Sequence, residues 1–246
     1  MLFRATPVCR KASASSKVWL ARQSRDPFVR ERLADPAAYR SRSAFKLLEI
    51  DQNHGSFLSQ PHVRSVVDLG AAPGGWSQVK ASDAELGFYD PLNAEDTRSV
   101  GQGTIIAVDL LAIPHIPGVH TLKLDFLSPE AEASIESLLR SGDGKVDVVL
   151  SDMAANMTGN TTRDTERSLE ICDAVLEFTK RNMRSAESIG NRKGGVLLLK
   201  HFTHPLLQRF RVDALEPNFN DVKFIKPAAS RSQSSEGYWL CQGWRG

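Results

Sequence analysis

Residues Val66-Val67-Asp68-Leu69-Gly70-Ala71-Ala72-Pro73-Gly74-Gly75-Trp76-Ser77 read as an apolar strand that runs into a glycine-rich turn and then a helix. Glycine tolerates positive φ and lets a ligand come close to the backbone, so such a turn after a buried strand suits small-molecule binding. In open α/β sheets ligands sit beyond the carboxyl ends of the strands, which puts this turn at the mouth of a crevice. The spacing is not G-x-G-x-x-G and no Gly-Lys-Ser/Thr follows, so neither the dinucleotide fingerprint nor a P-loop is matched. A G-x-S-x-G elbow is also missing, which argues against a serine hydrolase.

From Val63 onward, short β-rich runs alternate with helical patterns, the mark of a parallel sheet covered by helices on both faces. Strands are expected over 63–69, 104–109, 120–124, 146–150, 196–200, 222–225 and 238–242. Helical spacing marks 131–140 and 166–183, where Leu169, Cys172, Val175 and Leu176 form one stripe, and 205–215 is a further helix. The last two strands are joined by a short polar connection, which predicts an antiparallel hairpin. The fold class is therefore α/β, a seven-stranded, mostly parallel sheet with a C-terminal antiparallel hairpin. Residues 82–103, with Gly87, Pro91, Gly101 and Gly103, are long for a crossover and read as a surface insertion.

With 246 residues, 41% hydrophobic and 24% charged, the chain can bury one sizeable core. Cys9, Cys172 and Cys241 form no C-x-x-C pair, which argues against a structural zinc site or a disulfide scaffold. No apolar run approaches the roughly 18 residues of a membrane span, so a soluble protein is expected. The formal charge of +2 does not by itself point to nucleic acid, so distribution matters. Residues 1–25 carry Arg4, Arg10, Lys11, Lys17, Arg22 and Arg25 with no acid before Asp26, the composition of a mitochondrial transit peptide or of a basic arm; the catalytic domain is expected over 26–246. From Arg22 to Lys46, Arg25, Arg30, Arg32, Arg40 and Arg42 are interleaved with Phe28, Tyr39 and Phe45, which suits phosphate neutralisation and base stacking and equally suits a solvated helix face. Lys223, Lys226 and Arg231 beside Glu236 would continue a positive rim.

Two further strands end in Asp109 and Asp125, carboxylates placed where they could accept hydrogen bonds from a nucleoside-like ligand. Either one alone would serve equally as a cap or loop residue.

Four separated motifs now agree in order and spacing. They are Asp68-Leu69-Gly70-Ala71-Ala72-Pro73-Gly74-Gly75-Trp76-Ser77-Gln78, then Ile105-Ile106-Ala107-Val108-Asp109-Leu110-Leu111, then Ser151-Asp152-Met153-Ala154-Ala155-Asn156, then Lys226-Pro227-Ala228-Ala229-Ser230-Arg231 with Ser235-Glu236. From about Asp26 onward the chain resembles the FtsJ/RrmJ family of ribosomal RNA 2′-O-methyltransferases, closest to its mitochondrial (Mrm-type) branch. The resemblance implies a class I, Rossmann-like methyltransferase fold that takes S-adenosyl-L-methionine and no metal. It implies that Gly70, Pro73, Gly74, Gly75, Trp76, Asp109, Asp125 and Asp152 line the cofactor site. It also implies a catalytic Lys-Asp-Lys-Glu set of Lys46, Asp152, Lys200 and Glu236. By the same resemblance the partner is RNA, with a uridine of large-subunit ribosomal RNA as target. That RNA would lie within an assembling mitoribosomal subunit, and the enzyme would be a monomer of the mitochondrial matrix. Transfer RNA, a messenger cap, or a non-catalytic role in ribosome assembly are the alternatives. The chain departs from the family pattern at Ala155, where proline is usual, and over His201-Phe202-Thr203-His204-Pro205.

Methyl transfer to a ribose hydroxyl needs the oxygen aligned and its proton removed, and alignment alone can contribute on the order of 7 to 11 kcal/mol. Lys200 closes an apolar strand, where an ammonium needs a partner or a reason to be neutral. Lys200 is therefore the expected base.

Overall fold

The computed structural model describes residues 39–86, 103–139, 144–156, 158–231 and 233–246. The basic segment 1–25, the arginines from Arg22 to Arg32, and most of the stretch 82–103 lie outside the described residues.

Helix α1 (Ser43–Asn53) precedes β1 (Ser65–Leu69), α2 (Gly75–Leu86), β2 (Thr104–Asp109), β3 (Val119–Lys123) and α3 (Pro129–Leu139). Strand β4 (Val148–Ser151), α4 (Thr161–Asn182), α5 (Ala186–Ile189), β5 (Val196–Phe202) and α6 (Pro205–Phe210) follow, and β6 (Phe219–Ile225) and β7 (Glu236–Trp244) complete the chain. The strand order is β3-β2-β1-β4-β5-β7-β6. Strands β1 to β5 are parallel, and β7 runs antiparallel to both β5 and β6. The expected α/β class and antiparallel hairpin are both present.

Every residue of β1 and β4 is buried, as central parallel strands covered on both faces require, whereas β3 at the edge is half exposed. Side chains alternate across the sheet and build two cores. Val67, Leu69, Leu197 and Leu199 pack with α3, α4 and α6, while Val66, Val148, Leu198, Tyr238 and Leu240 pack with α1 and α2. After β1 the chain adds β2 and β3 on one side, then crosses to place β4 on the other, so the crevice beyond the β1 and β4 carboxyl ends is the topological switch point.

Element boundaries move where tertiary pairing extends a weak local signal. Strand β5 runs on to Phe202 because Lys200, His201 and Phe202 pair with Tyr238, Gly237 and Glu236. Helix α4 starts at Thr161 rather than 166, since the Asn160 side chain accepts the Arg163 amide at 3.2 Å and caps the helix. The expected helix over 205–215 is α6 followed by a π-helical turn, Arg211–Leu215. Helix α2 continues to Leu86, so residues 82–86 of the stretch 82–103 are helical.

One buried carboxylate fastens the far end of the sheet. Asp147, 1% exposed, accepts hydrogen bonds from the Arg64 amide at 2.7 Å, the Ser65 amide at 2.9 Å and the Ser65 hydroxyl at 3.1 Å, and pairs with Arg184 Nε at 3.3 Å. Truncation would leave two amides and a guanidinium without their anion, so Asp147→Ala is expected to lower stability by about 3 to 5 kcal/mol in urea unfolding. An unchanged midpoint would refute this role.

Candidate active site

Period-two alternation puts Lys200 on the face of β5 that carries Val196 and Leu198, towards α1 and α2. Helix α1 presents Lys46 to the same region, β7 begins there with Glu236, and the loop after β4 brings Asp152. Lys46 Nζ donates to Glu236 Oε1 at 2.7 Å, and Lys200 Nζ lies 3.1 Å from Asp152 Oδ1 and 3.3 Å from the Asp152 carbonyl. The structure thus gathers all four expected side chains, each with no more than 19% of its surface exposed.

Tyr238 joins the two ion pairs and was not foreseen. Its hydroxyl donates to Asp152 Oδ1 at 2.8 Å and stands 3.3 Å from Lys46 Nζ, from which it accepts. Burial, then the charges of Asp152 and Glu236, push its pKa far above the ordinary value, so it stays a phenol and a donor. Its sequence signal was its place two residues after Glu236, which puts both side chains on one face of β7. Burial alone would raise the Glu236 pKa, but the hydrogen bond and charge of Lys46, with Lys200 behind, hold it below the usual carboxylate range. The result is a continuous line, Glu236–Lys46–Tyr238–Asp152–Lys200.

The glycine-rich turn adjoins this line. Gly70 has φ +75° and a Cβ there would lie 2.7 Å from Met153 Cγ, so only glycine lets the turn pass the Asp152 loop. Gly74 has φ +106°, and a Cβ on Gly75 would collide with Ser41. Pro73 is exposed on the turn. Trp76 is 2% exposed, donates from Nε1 to the Ser43 carbonyl at 2.7 Å and packs on Tyr238, so its indole belongs to the core and only its backbone borders the turn. Asp109 Oδ2 accepts the Ala72 amide at 2.9 Å and Oδ1 the Leu111 amide at 2.7 Å, and Asp125 Oδ1 accepts the Leu127 amide at 3.0 Å. Both therefore brace their own loops, and each keeps lone pairs for a ligand hydroxyl. Of the two departures from the family pattern in the sequence, Ala155 is half buried on the Asp152 loop. In the other, His201 points to the opposite face of β5 and stacks on Trp239 at 3.7 Å, while the Phe202 ring centre lies 5.9 Å from Lys200 Nζ.

Asp68 lies beneath the turn, fully buried, and accepts the Ser77 hydroxyl at 2.6 Å through Oδ2, while Oδ1 meets no hydrogen-bond partner among the described residues. Burial raises its pKa to about 7 against the Ser77 bond, with Asp152 and Asp109 adding. An acid that keeps its proton in the fold after the unfolded chain has lost it near 3.8 contributes stability that is lost as pH rises towards about 7. His201, held down at about 4 by burial, acts in the opposite sense as pH falls below 6.5. The comparison with Asp68→Asn isolates the carboxyl: the variant is expected to gain on the parent as pH goes from about 5 to about 8 in paired urea titrations. A pH-independent difference would remove Asp68 from the account.

A cradle of Asp68, Asp109, Asp125 and Asp152 around a glycine turn suits a ligand with a sulfonium, an ammonium and ribose hydroxyls, and the unpartnered Asp68 oxygen is consistent with a cation nearby. The fold and site therefore define a class I, S-adenosylmethionine-dependent methyltransferase. The chain belongs to the FtsJ-like methyltransferase family, which it matches over residues 39–244. It is 41% identical over 240 residues to the ribosomal RNA large subunit methyltransferase E of Bradyrhizobium diazoefficiens, covering 96% of this chain and 91% of that protein. To the protein of the same name from Nitrobacter winogradskyi it is 42% identical over 236 residues, covering 96% and 90%. A crystal structure of a Plasmodium falciparum protein described as a ribosomal RNA methyltransferase superposes with TM-score 0.66 at 23% identity, over 85% of this chain and 100% of that one, and supports the fold. No helix among the described residues is long and apolar enough to cross a membrane.

Proposed function

We propose that the protein methylates a ribose 2′-hydroxyl of large-subunit ribosomal RNA, with Lys200 as the base. The observation that carries this reading is the line Glu236–Lys46–Tyr238–Asp152–Lys200, which ends in an amine at the cofactor crevice. The turn 70–75 with Asp109 and Asp125 would hold S-adenosylmethionine, which would supply an electrophilic methyl group on a good leaving group. The Lys200 amine is placed to take the proton of the 2′-hydroxyl and so free that oxygen to accept the methyl group. Asp152, 3.1 Å away, orients that amine and stabilises the ammonium that forms. The Lys46–Glu236 pair, coupled through Tyr238, anchors the same carboxylate oxygen, Asp152 Oδ1, that faces Lys200.

The relatives named for large-subunit ribosomal RNA support that substrate. The acid-free, arginine-rich residues 1–25 support a mitochondrial enzyme, and with it a uridine target of the mitochondrial large-subunit RNA in an assembling subunit. Tritium transfer from labelled cofactor should favour mitochondrial large-subunit RNA over transfer RNA and capped messenger. Failure on every RNA despite tight cofactor binding would overturn the catalytic reading in favour of an assembly role. Mapping ribose methylation in organelle RNA after gene deletion tests the target nucleotide and the compartment.

A further inference from the structure

The segment that leads into α1 is fastened to the glycine turn and to α2. The Arg40 amide donates to Gln78 Oε1 at 3.1 Å, Ser41 packs so closely on Gly75 that a Cβ there would collide with its hydroxyl, and the Ser43 carbonyl accepts Trp76 Nε1. With its backbone fixed in this way, the Arg40 side chain crosses the turn: Nη1 lies 3.5 Å from the point that a Cβ on Gly74 would occupy. On the far side the guanidinium meets the loop between β2 and β3, residues 110–118. There Nη1 donates to the Pro114 carbonyl at 2.6 Å and Nη2 to the His115 carbonyl at 2.5 Å.

None of residues 110–118 lies in a helix or strand, and only Ile116 among them is buried. Ile116 packs on the turn, where a Cβ on Gly74 would lie 2.6 Å from its Cδ1. Asp109 holds the start of the loop through the Leu111 amide, and the Ile116 carbonyl closes its end by accepting the Val119 amide at 3.1 Å. Between those ends, Arg40 grips two consecutive carbonyls. A planar fork of donors suits that pair, which the single point of charge on a lysine does not. Because the loop follows Asp109 at the carboxyl end of β2, it borders the crevice that the fold assigns to the cofactor.

We infer that Arg40 is a positioning residue for S-adenosylmethionine: it latches the β2–β3 loop against the glycine turn and so sets how tightly the crevice retains the cofactor. A loop with one apolar anchor opens at little cost, and the latch raises that cost. The competing role for an arginine at this place is a contact with an RNA phosphate, and the two roles make opposite demands on a lysine replacement.

The test uses the full chain and reads cofactor binding at equilibrium, hydrogen exchange of the cofactor-free protein, and RNA binding over a series of salt concentrations. Arg40→Gln is expected to weaken S-adenosylmethionine binding about tenfold, mainly through faster dissociation, and to raise the cofactor KM more than it lowers kcat. In the cofactor-free variant the amides of 110–118 should exchange faster while those of β1 and β4 keep the parent's rates, which separates a loosened loop from a loosened fold. Arg40→Lys keeps the charge and loses the fork, so it should bind cofactor nearly as weakly as Arg40→Gln while keeping the parent's salt slope for RNA. Full recovery of cofactor affinity in Arg40→Lys, an unchanged cofactor dissociation constant in Arg40→Gln, or unchanged exchange of the loop each overturns the latch. A shallower RNA salt slope in Arg40→Gln with unaltered cofactor binding also overturns it, and makes Arg40 a phosphate contact instead.

Discussion

Lys200→Ala is expected to slow single-turnover methyl transfer about a thousandfold, roughly 4 kcal/mol of lost transition-state stabilisation, with cofactor binding retained. The cost follows from what the sulfonium leaves to the protein. The leaving group is already good, so proton removal and alignment of the ribose oxygen are what the chain must supply. Lys200 is the amine at the end of the site's line of side chains, with 12% of its side chain exposed, and alanine leaves no base there. Rapid-quench measurement with saturating labelled cofactor and RNA would check this. Near-normal single-turnover transfer would refute Lys200 as the base.

Asp152→Ala is expected to cost on the order of a hundredfold or more, through orientation rather than loss of the base. Its Oδ1 atom takes the Tyr238 hydroxyl at 2.8 Å and stands 3.1 Å from Lys200 Nζ. Removal leaves a buried phenol without its acceptor and an amine with the carbonyl of residue 152 at 3.3 Å and the Phe202 ring centre at 5.9 Å. Because the two residues act as a unit, Asp152→Ala combined with Lys200→Ala should be scarcely slower than Lys200→Ala alone. Multiplicative losses in the double variant would show that they act independently.

Much of the fold was legible because its signals are local. Val66 to Leu69 reads as a buried strand and Gly70 to Gly75 as a tight turn from their own composition, and each of the expected strands is present with ends displaced by a few residues. The displacements fall where pairing partners decide length, as at Lys200 to Phe202 against Glu236 to Tyr238. The tetrad was legible through family resemblance, since nothing within a few residues of Lys46 marks it as 8% exposed and paired with a residue 190 positions away. Tyr238 was missed because a tyrosine in an apolar strand reads as core, which it also is.

The amino-acid sequence alone determined the alternation of strands and helices, the glycine turn and the residue types able to carry methyl-transfer chemistry, because periodicity and backbone preference act over a few neighbouring residues. Only the tertiary structure decided that β7 inserts antiparallel between β5 and β6 and that Tyr238 bridges Lys46 and Asp152. Those contacts span up to 192 residues and exist because burying both faces of one sheet selects its strand order, a choice made by the whole chain at once.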